Sequence, residues 1–343
     1  MPEDPIDHID FDEVNGRAIS QPLVKNIYTA DPSAHVFNGK IYIYPSHDIE
    51  NDIPFDDLGS HFAMEDYHVL SMETPDGEAT DHGIALHVKD VPWASKQMWA
   101  PDAAEKNGTY YLFFPAKGHD GIFSIGVATS HSPVGPFTPQ PQAIKNSFSI
   151  DPAVFKDHDE SYYMYFGGIW GGQLQRWRTG KFNGNGEGPL IHLPNDSEPA
   201  LCPKVARLSN DLLEFAEEPK DVLILDEEGN ALLQGDNEKR FFEASWMHKY
   251  NGKYYFSYST GDTHFLCYAI GNNPYGPFTY AGRILEPVVG WTSHHSIVEF
   301  KGKWYLFYHD SSLSRGVTHL RSIKVTELEY DQDGLIKTIK PYR

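Results

Sequence analysis

Hydrophobic and polar positions in this chain alternate with a period of two, and the alternation repeats. The pattern is first complete over residues 29–44, where two alternating runs flank Asn38-Gly39. An Asn-Gly pair in that setting predicts a two-residue hairpin, because both residues tolerate the positive φ that such turns need. The same unit recurs around Tyr42, Tyr111, Tyr163, Tyr255 and Tyr305, with Asn38-Gly39, Asn107-Gly108, Asn251-Gly252 and Lys301-Gly302 as the turns of four of the five. Five β-units with no helical unit between them predict radial repetition, in which each sheet buries its faces against its neighbours around an axis. The expected fold is all-β: a five-bladed β-propeller in a single domain over residues 26–343. Residues 1–25 are expected to be an extended polar segment that closes the last blade.

A second repeat supports this blade count. Residues 126–138 and 267–279 are near copies, each a strand followed by Gly-Pro-Phe-Thr; proline is tolerated where a sheet has its outer edge. A polar, acidic insertion over 50–66 precedes the strand Tyr67–Met72, and the longest interval between repeats runs from Gly172 to about residue 240. That interval holds the one predicted helix, Ser209–Glu218, with Ser209 as its cap and Pro219 as its stop.

Composition narrows the partners. The 20 Tyr, 20 Phe and 7 Trp supply strand formers, and 29 Gly with 24 Pro supply turns. A formal net charge of −20 opposes phosphate backbones and anionic membrane surfaces, so neither nucleic acid nor a membrane is expected, and a neutral substrate is. No apolar run approaches the ~20 residues that span a bilayer. Residues 1–10 are acidic and lack the apolar stretch of a secretory signal, which points to a cytoplasmic protein. Cys202 and Cys267 lack metal-ligand spacing and are expected to be two buried thiols in a reducing compartment.

The candidate chemistry comes from counting back 11 or 12 positions from each central aromatic, which reaches Asp31, Trp99, Asp151, Glu243 and His294. Strand starts at equivalent repeat positions surround the channel, so these groups should converge at one mouth. Three carboxylates without a nucleophile triad point to hydrolysis of a glycosidic bond, which needs one acid for the leaving oxygen and one base for water. Asp31 and Glu243 lie in non-adjacent blades, and carboxylates facing each other across a channel at ~6.5–9.5 Å leave room for that water, the geometry of inversion. Asp151 would raise the pKa of the acid by like-charge repulsion. Each residue has a plainer alternative. Asp-Pro is common in turns, whereas Glu243 between Phe242 and Ala244 is costly without a function. His294 either packs in the core or lies on the axis and holds a cation. Trp99, Trp170, Trp246 and Trp291 are either sugar-stacking walls or core, and His47-Asp48 are placed to hydrogen-bond a sugar.

These motifs resemble glycoside hydrolase family 43, in its β-xylosidase and α-L-arabinofuranosidase part. The resemblance rests on Ala30-Asp-Pro32, Trp99-Ala-Pro-Asp102, Ser149-Ile-Asp-Pro152, residues 242–247, residues 292–297 and Leu320-Arg-Ser-Ile323. It implies that Asp31 is the general base, Glu243 the general acid and Asp151 the group that tunes and orients the acid. It further implies that His294 contacts calcium or another divalent cation through water, and that Arg321 contacts the sugar being cleaved. Where many relatives have Glu-Gly-Pro-Trp, this chain has Glu243-Ala-Ser-Trp246. The implied activity is exo-hydrolysis of xylo-oligosaccharides or arabinose-decorated oligosaccharides. Two alternatives stay open, an endo-arabinanase of the same fold and a propeller that only binds carbohydrate. A homo-oligomer is compatible with the sequence.

Overall fold

The computed structural model describes residues 9–261 and 264–343. Five sheets follow one another along the chain. Blade one comprises Tyr28–Phe37, Lys40–Asp48, Asp66–Met72 and Thr80–His87. Blade two is built on Thr109–Gly118, which pairs with Asp102–Lys106, Ala94–Lys96 and Phe123–Ser130, with Thr138–Pro139 outermost. Blade three contains Ala153–Lys156, Tyr162–Phe166, Lys204–Arg207 and Lys220–Asp221. In blade four, Phe241–Tyr250, Lys253–Thr260, Leu266–Gly271 and Phe278–Leu285 are joined by Ile224–Leu225, parallel at the edge. Blade five contains His295–Phe300, Lys303–Asp310 and Ser322–Leu328.

One strand of each blade forms the inner ring. Tyr28–Phe37 contacts both Asp102–Lys106 and His295–Phe300, Ala153–Lys156 contacts Asp102–Lys106 and Phe241–Tyr250, and the latter contacts His295–Phe300, so the circle closes. All four predicted turns form with both residues at positive φ, from Asn38 at 52° and Gly39 at 78° to Lys301 at 52° and Gly302 at 82°. That is the conformation which matches the right-handed twist of the flanking strands. In blade three the connection is longer and runs through Asp157–Ser161.

The period of two explains the packing. In Thr109–Gly118, Leu112 and Phe114 face blade one, where they join Tyr44 and Tyr67. The alternate Tyr111 and Phe113 face blade three, where they join Met164 and Phe166. A strand buried on both faces thus reads as continuously apolar while serving two interfaces. Buried tyrosines carry a polar tip into these layers, and three of them donate it to a backbone carbonyl of another segment. Tyr44 donates to Pro133 O at 2.7 Å, Tyr67 to Trp99 O at 2.6 Å and Tyr165 to Pro274 O at 2.6 Å.

At the last blade, Leu23 N–H donates to Ile323 O at 2.8 Å and Thr29 N–H to Arg321 O at 2.9 Å, while Ser20 Oγ accepts from Val325 N–H at 3.1 Å. Residues 1–8 lie outside the described residues. Phe11–Arg17, expected to be extended, is a helix, because the Asp10 carboxylate caps Asp12 and Glu13 N–H and Phe11 is buried. The predicted helix Ser209–Glu218 does not form. Asp211 turns its side chain onto Ser209 Oγ and Leu213 N–H, Leu212 adopts φ 60°, and Leu208 bridges Phe215. Local side-chain bonds of this kind compete with a helix, and burial of Leu212 decides the contest. Of the two thiols, Cys267 is buried as expected and Cys202 only partly so; both are free.

Blade two departs from the expected slot, since its inner strand opens at Asp102 and not at Trp99. Asp102 is buried and accepts from Ser33 Oγ, His35 Nε2 and Val154 N–H, tying blades one, two and three at the ring. Removing one acceptor from several buried donors costs the desolvation of each. Asp102→Ala is therefore expected to destabilise the fold by about 3 kcal/mol or more, read as a fall in the denaturant midpoint; a loss below 1 kcal/mol would contradict this role.

Candidate active site

Irregular backbone on the inner strands turns the candidate side chains inward. Asp31 sits at a register shift between Ala30 and Ser33 with φ 50°, Asp151 has φ 57° and Ala244, directly after Glu243, has φ 62°. Left-handed backbone at a non-glycine residue costs on the order of 1–3 kcal/mol. Three such residues at the same end of the ring mark a place where geometry was favoured over local comfort. All of Asp31, Asp151, Glu243, His294 and Arg321 line one pocket enclosing about 520 Å³, including its open mouth.

Arg321 organises the electrostatics. Its guanidinium is buried and meets Asp48 in a two-pronged contact, Nε to Oδ2 and Nη2 to Oδ1, both at 2.8 Å. Its remaining nitrogen, Nη1, donates to Asp31 Oδ1 at 2.9 Å and to Thr292 Oγ1 at 3.2 Å. Ser46 Oγ donates to Asp31 Oδ2 at 2.6 Å. Burial pushes the Asp31 carboxyl upward, but Arg321, the neighbouring histidines and Ser46 outweigh it and hold it at about 2. His294 and His309 are themselves driven down by burial, to about 4 and about 3, so near neutral pH Arg321 is the charge that keeps Asp31 ionised. His309 has a defined tautomer. Its Nδ1 accepts from Asp31 N–H at 3.0 Å, which leaves Nε2–H to donate to Thr292 O at 3.1 Å.

Glu243 is driven the other way. Burial and then the charges of Asp151 and Asp31 push its carboxyl well above the ordinary 4.5, with Arg321 opposing. Asp151 is raised by burial and by Asp31, yet its Oδ2 accepts Ala244 N–H at 2.7 Å, a bond that favours the ionised form. Glu243 has no such bond among the described residues; its Oε1 lies 4.0 Å from His264 Nδ1. The proton of this coupled pair therefore belongs on Glu243. Two carboxylates in one pocket, one held ionised and one held protonated, are the pair that acid–base cleavage requires.

The walls are aromatic. Trp99 is anchored by Nε1–H to Phe62 O at 2.8 Å. It packs so closely on Gly59 that an added Cβ there would lie 2.7 Å from the indole. Gly171 abuts the Leu58 carbonyl with no room for a side chain. The 50–66 insertion thus closes against Trp99 on one side and against the 169–172 turn on the other. Trp170 stacks on Trp291 with centroids 5.6 Å apart, and its buried Nε1–H has no hydrogen-bond partner among the described residues.

Several predicted site residues lie elsewhere. Trp246 is core: it is 7% exposed and donates to Ile297 O at 3.1 Å, because its strand position faces blade five and not the pocket. Asp48 is fully buried beneath Arg321, so its role is to hold that guanidinium. His47 is outside the pocket lining and bonds Asp66 at 2.7 Å. His295, the neighbour of His294 in the same motif, is core and bonds Ser257 Oγ at 2.6 Å. Sequence reasoning missed His309, Thr292 as a ligand of Arg321, and the pocket residues Asp57 and Phe62. His309 had a signal: His309-Asp310 closes the second strand of blade five as His47-Asp48 closes that of blade one, and both aspartates pair a buried cation, Lys324 and Arg321.

Around His294 the donor set suits a water-held cation and not a protein-built cage. His294 Nδ1 lies 3.6 Å from Asp31 Oδ1 and 3.9 Å from Asp151 Oδ2, and both oxygens already accept other hydrogen bonds. Calcium takes 6–8 oxygens, so most would be waters.

A propeller whose axial pocket holds carboxylates in opposite protonation states defines a glycoside-cleaving enzyme. The model of the glycosyl hydrolases family 43 matches residues 24–336. The chain is 63% identical to xylosidase/arabinosidase 43A of Humicola insolens, over 93% of this chain and 99% of that protein. It is 61% identical to a xylosidase/arabinosidase of Bacteroides ovatus, over 93% and 97%. Among solved structures it is similar to CoXyl43, a β-xylosidase/α-arabinofuranosidase from a compost microbial metagenome, described as a calcium-free form in complex with xylotriose. The TM-score is 0.92 at 64% identity, covering 95% of this chain and 99% of that one. The chain belongs to glycosyl hydrolases family 43, an inverting family of glycosidases.

The upward shift of Glu243 has a consequence for stability. The folded state binds this proton more tightly than the unfolded chain, so stability falls as pH rises from the ordinary 4.5 through the raised folded value. Glu243→Gln, which carries no charge, is expected to melt higher than the parent at pH 8, with the difference shrinking toward pH 5. A difference independent of pH would show that Glu243 is ionised throughout.

Proposed function

We propose that this protein is an exo-acting, inverting glycosidase that removes terminal β-D-xylose from xylo-oligosaccharides and also α-L-arabinofuranose, with Asp31 as general base and Glu243 as general acid. The observation that carries this is the split of protonation within one pocket: Arg321 holds Asp31 ionised while burial and Asp151 hold Glu243 protonated. Asp31 takes a proton from a water as that water attacks the anomeric carbon, and Glu243 gives its proton to the departing glycosidic oxygen on the opposite face. Afterwards Asp31 carries a proton and Glu243 a charge, and exchange with solvent restores both. Asp151 keeps the acid protonated and, through Ala244 N–H, fixes the strand that bears it. Trp99 and Trp291, both in the pocket lining, supply flat walls for the ring.

The sugar assignment is supported by the relatives' names and by the neighbour solved with xylotriose. Exo action is supported by the closure of the 50–66 insertion against Trp99 and Gly171, which makes a blind pocket where an endo-enzyme needs an open groove. A binding-only propeller has no use for an acid kept protonated at a desolvation cost. When bound, a hydrated calcium held at His294 would supply positive charge that favours the ionised form of the nearby carboxylates.

Asp31→Asn and Glu243→Gln are each expected to lower kcat on xylo-oligosaccharides by about 10²–10⁴-fold. On a xyloside with a good leaving group, Glu243→Gln should recover much of this loss and Asp31→Asn should not, since only protonation of the leaving oxygen is dispensable there. Equal losses on both substrates would overturn the role assignment.

A calcium-selective chelator is expected to lower turnover and added calcium to restore it, with little change in melting temperature. His294→Ala should abolish that response. Turnover indifferent to the chelator would leave His294 as a hydrogen-bonding residue only.

A further inference from the structure

We propose that blade one carries a second, separate site, in which His47, Asp66 and His68 take one divalent ion of the zinc, cobalt or nickel class. The strands build it by register. Lys40–Asp48 pairs antiparallel with Asp66–Met72, Ile41 opposite Met72 and Ile43 opposite Leu70, and continuing that register brings His47 opposite Asp66. Asp66 and His68 are two residues apart on one strand and so share its face with His47. The result is three ligand atoms, two imidazole nitrogens and a carboxylate oxygen, all within 4.8 Å of one another. His47 Nδ1 lies 2.7 Å from Asp66 Oδ1, and His68 Nε2 lies 3.9 Å from the same oxygen. The two rings are adjacent, with centroids 4.5 Å apart.

What distinguishes this group from an ordinary pair of bonded histidines is the next shell outward. His68 Nδ1 bonds Asp81 Oδ1 at 2.8 Å, and that carboxylate oxygen also accepts Gly83 N–H at 2.9 Å. A carboxylate on the far nitrogen of a histidine fixes the ring and raises the basicity of its other nitrogen, the arrangement found behind metal-bound histidines. Here it presents Nε2 toward Asp66. The three side chains are between 10% and 17% exposed, enough for an ion to enter and little enough to shield it. Two nitrogens and one carboxylate suit zinc and its neighbours, with a fourth position left for water, and do not suit calcium. On binding, the ion replaces the proton between His47 Nδ1 and Asp66, which passes to solvent. None of the three residues lines the sugar pocket. His47 is however followed by Asp48, the buried anchor of Arg321, so an ion here would brace the strand end that positions the guanidinium against Asp31.

The test uses the full chain stripped with a strong chelator and then titrated with Co²⁺, followed by visible absorption, and with Zn²⁺ and Ca²⁺ by calorimetry. One equivalent of Co²⁺ or Zn²⁺ is expected, with d–d bands of a nitrogen-containing site and no uptake of Ca²⁺ there. His68→Gln and Asp66→Asn should each lose that equivalent, Asp81→Asn should weaken affinity by roughly 10–100-fold, and His294→Ala should retain it. Melting curves identify variants that stay folded, and His47→Gln replaces any that does not. Absence of stoichiometric uptake by the parent, uptake unchanged in His68→Gln and Asp66→Asn, or loss in His294→Ala would each overturn the proposal. Because the readout is binding and not turnover, its failure leaves the glycosidase reading untouched.

Discussion

The site depends on one buried guanidinium. Arg321 would be costly to desolvate alone, and it is stabilised by Asp48 in a two-pronged contact while its third edge is spent on Asp31. The second contact has the chemical consequence. A base in a desolvated pocket beside other carboxylates would otherwise take up a proton, and Arg321 prevents this for Asp31 alone. The same cation opposes the upward shift of Glu243 without overcoming burial and Asp151. One charge placed nearer to one carboxylate than to the other thus separates base from acid.

The propeller makes that placement reproducible. Arg321 precedes the third strand of blade five, Asp48 closes the second strand of blade one, and Asp31 lies on the innermost strand of blade one. The hydrogen bonds that bring residues 19–29 onto the last blade therefore also bring the two halves of this network together. The contacts that close the ring are thus also the contacts that assemble the base. Asp102 performs the corresponding task on the other side of the axis, joining blades one, two and three through buried bonds and contributing nothing to the pocket lining.

Pocket shape comes from parts that are not propeller. The 50–66 insertion and the 169–172 turn close over the axial end, and their contact relies on Gly59 and Gly171 having no side chains. Trp170 holds a left-handed backbone, φ 56°, at the same place. Rigid blades supply the chemistry and irregular loops supply the fit, a division that lets relatives of one fold differ in the sugar they take.

The sequence by itself determined the blade repeat, its turns and the carboxylates, because alternation and Asn-Gly chemistry act within a few residues and the repeat multiplies a weak local signal. It placed Asp31, Asp151, Glu243 and His294 in one pocket for the same reason. Tertiary structure alone decided the fate of Trp246, Asp48 and His47, since whether a strand residue faces the axis, a neighbouring blade or a guanidinium from the far end of the chain depends on long-range register. It also overrode the local helix signal at 209–218, where burying Leu212 outweighed a favourable cap. The helix at Phe11–Arg17 went the opposite way, formed around a buried Phe11 in a segment whose composition looked extended. The protonation states belong to tertiary structure as well: a carboxylate's neighbours in space, and not in sequence, set its charge.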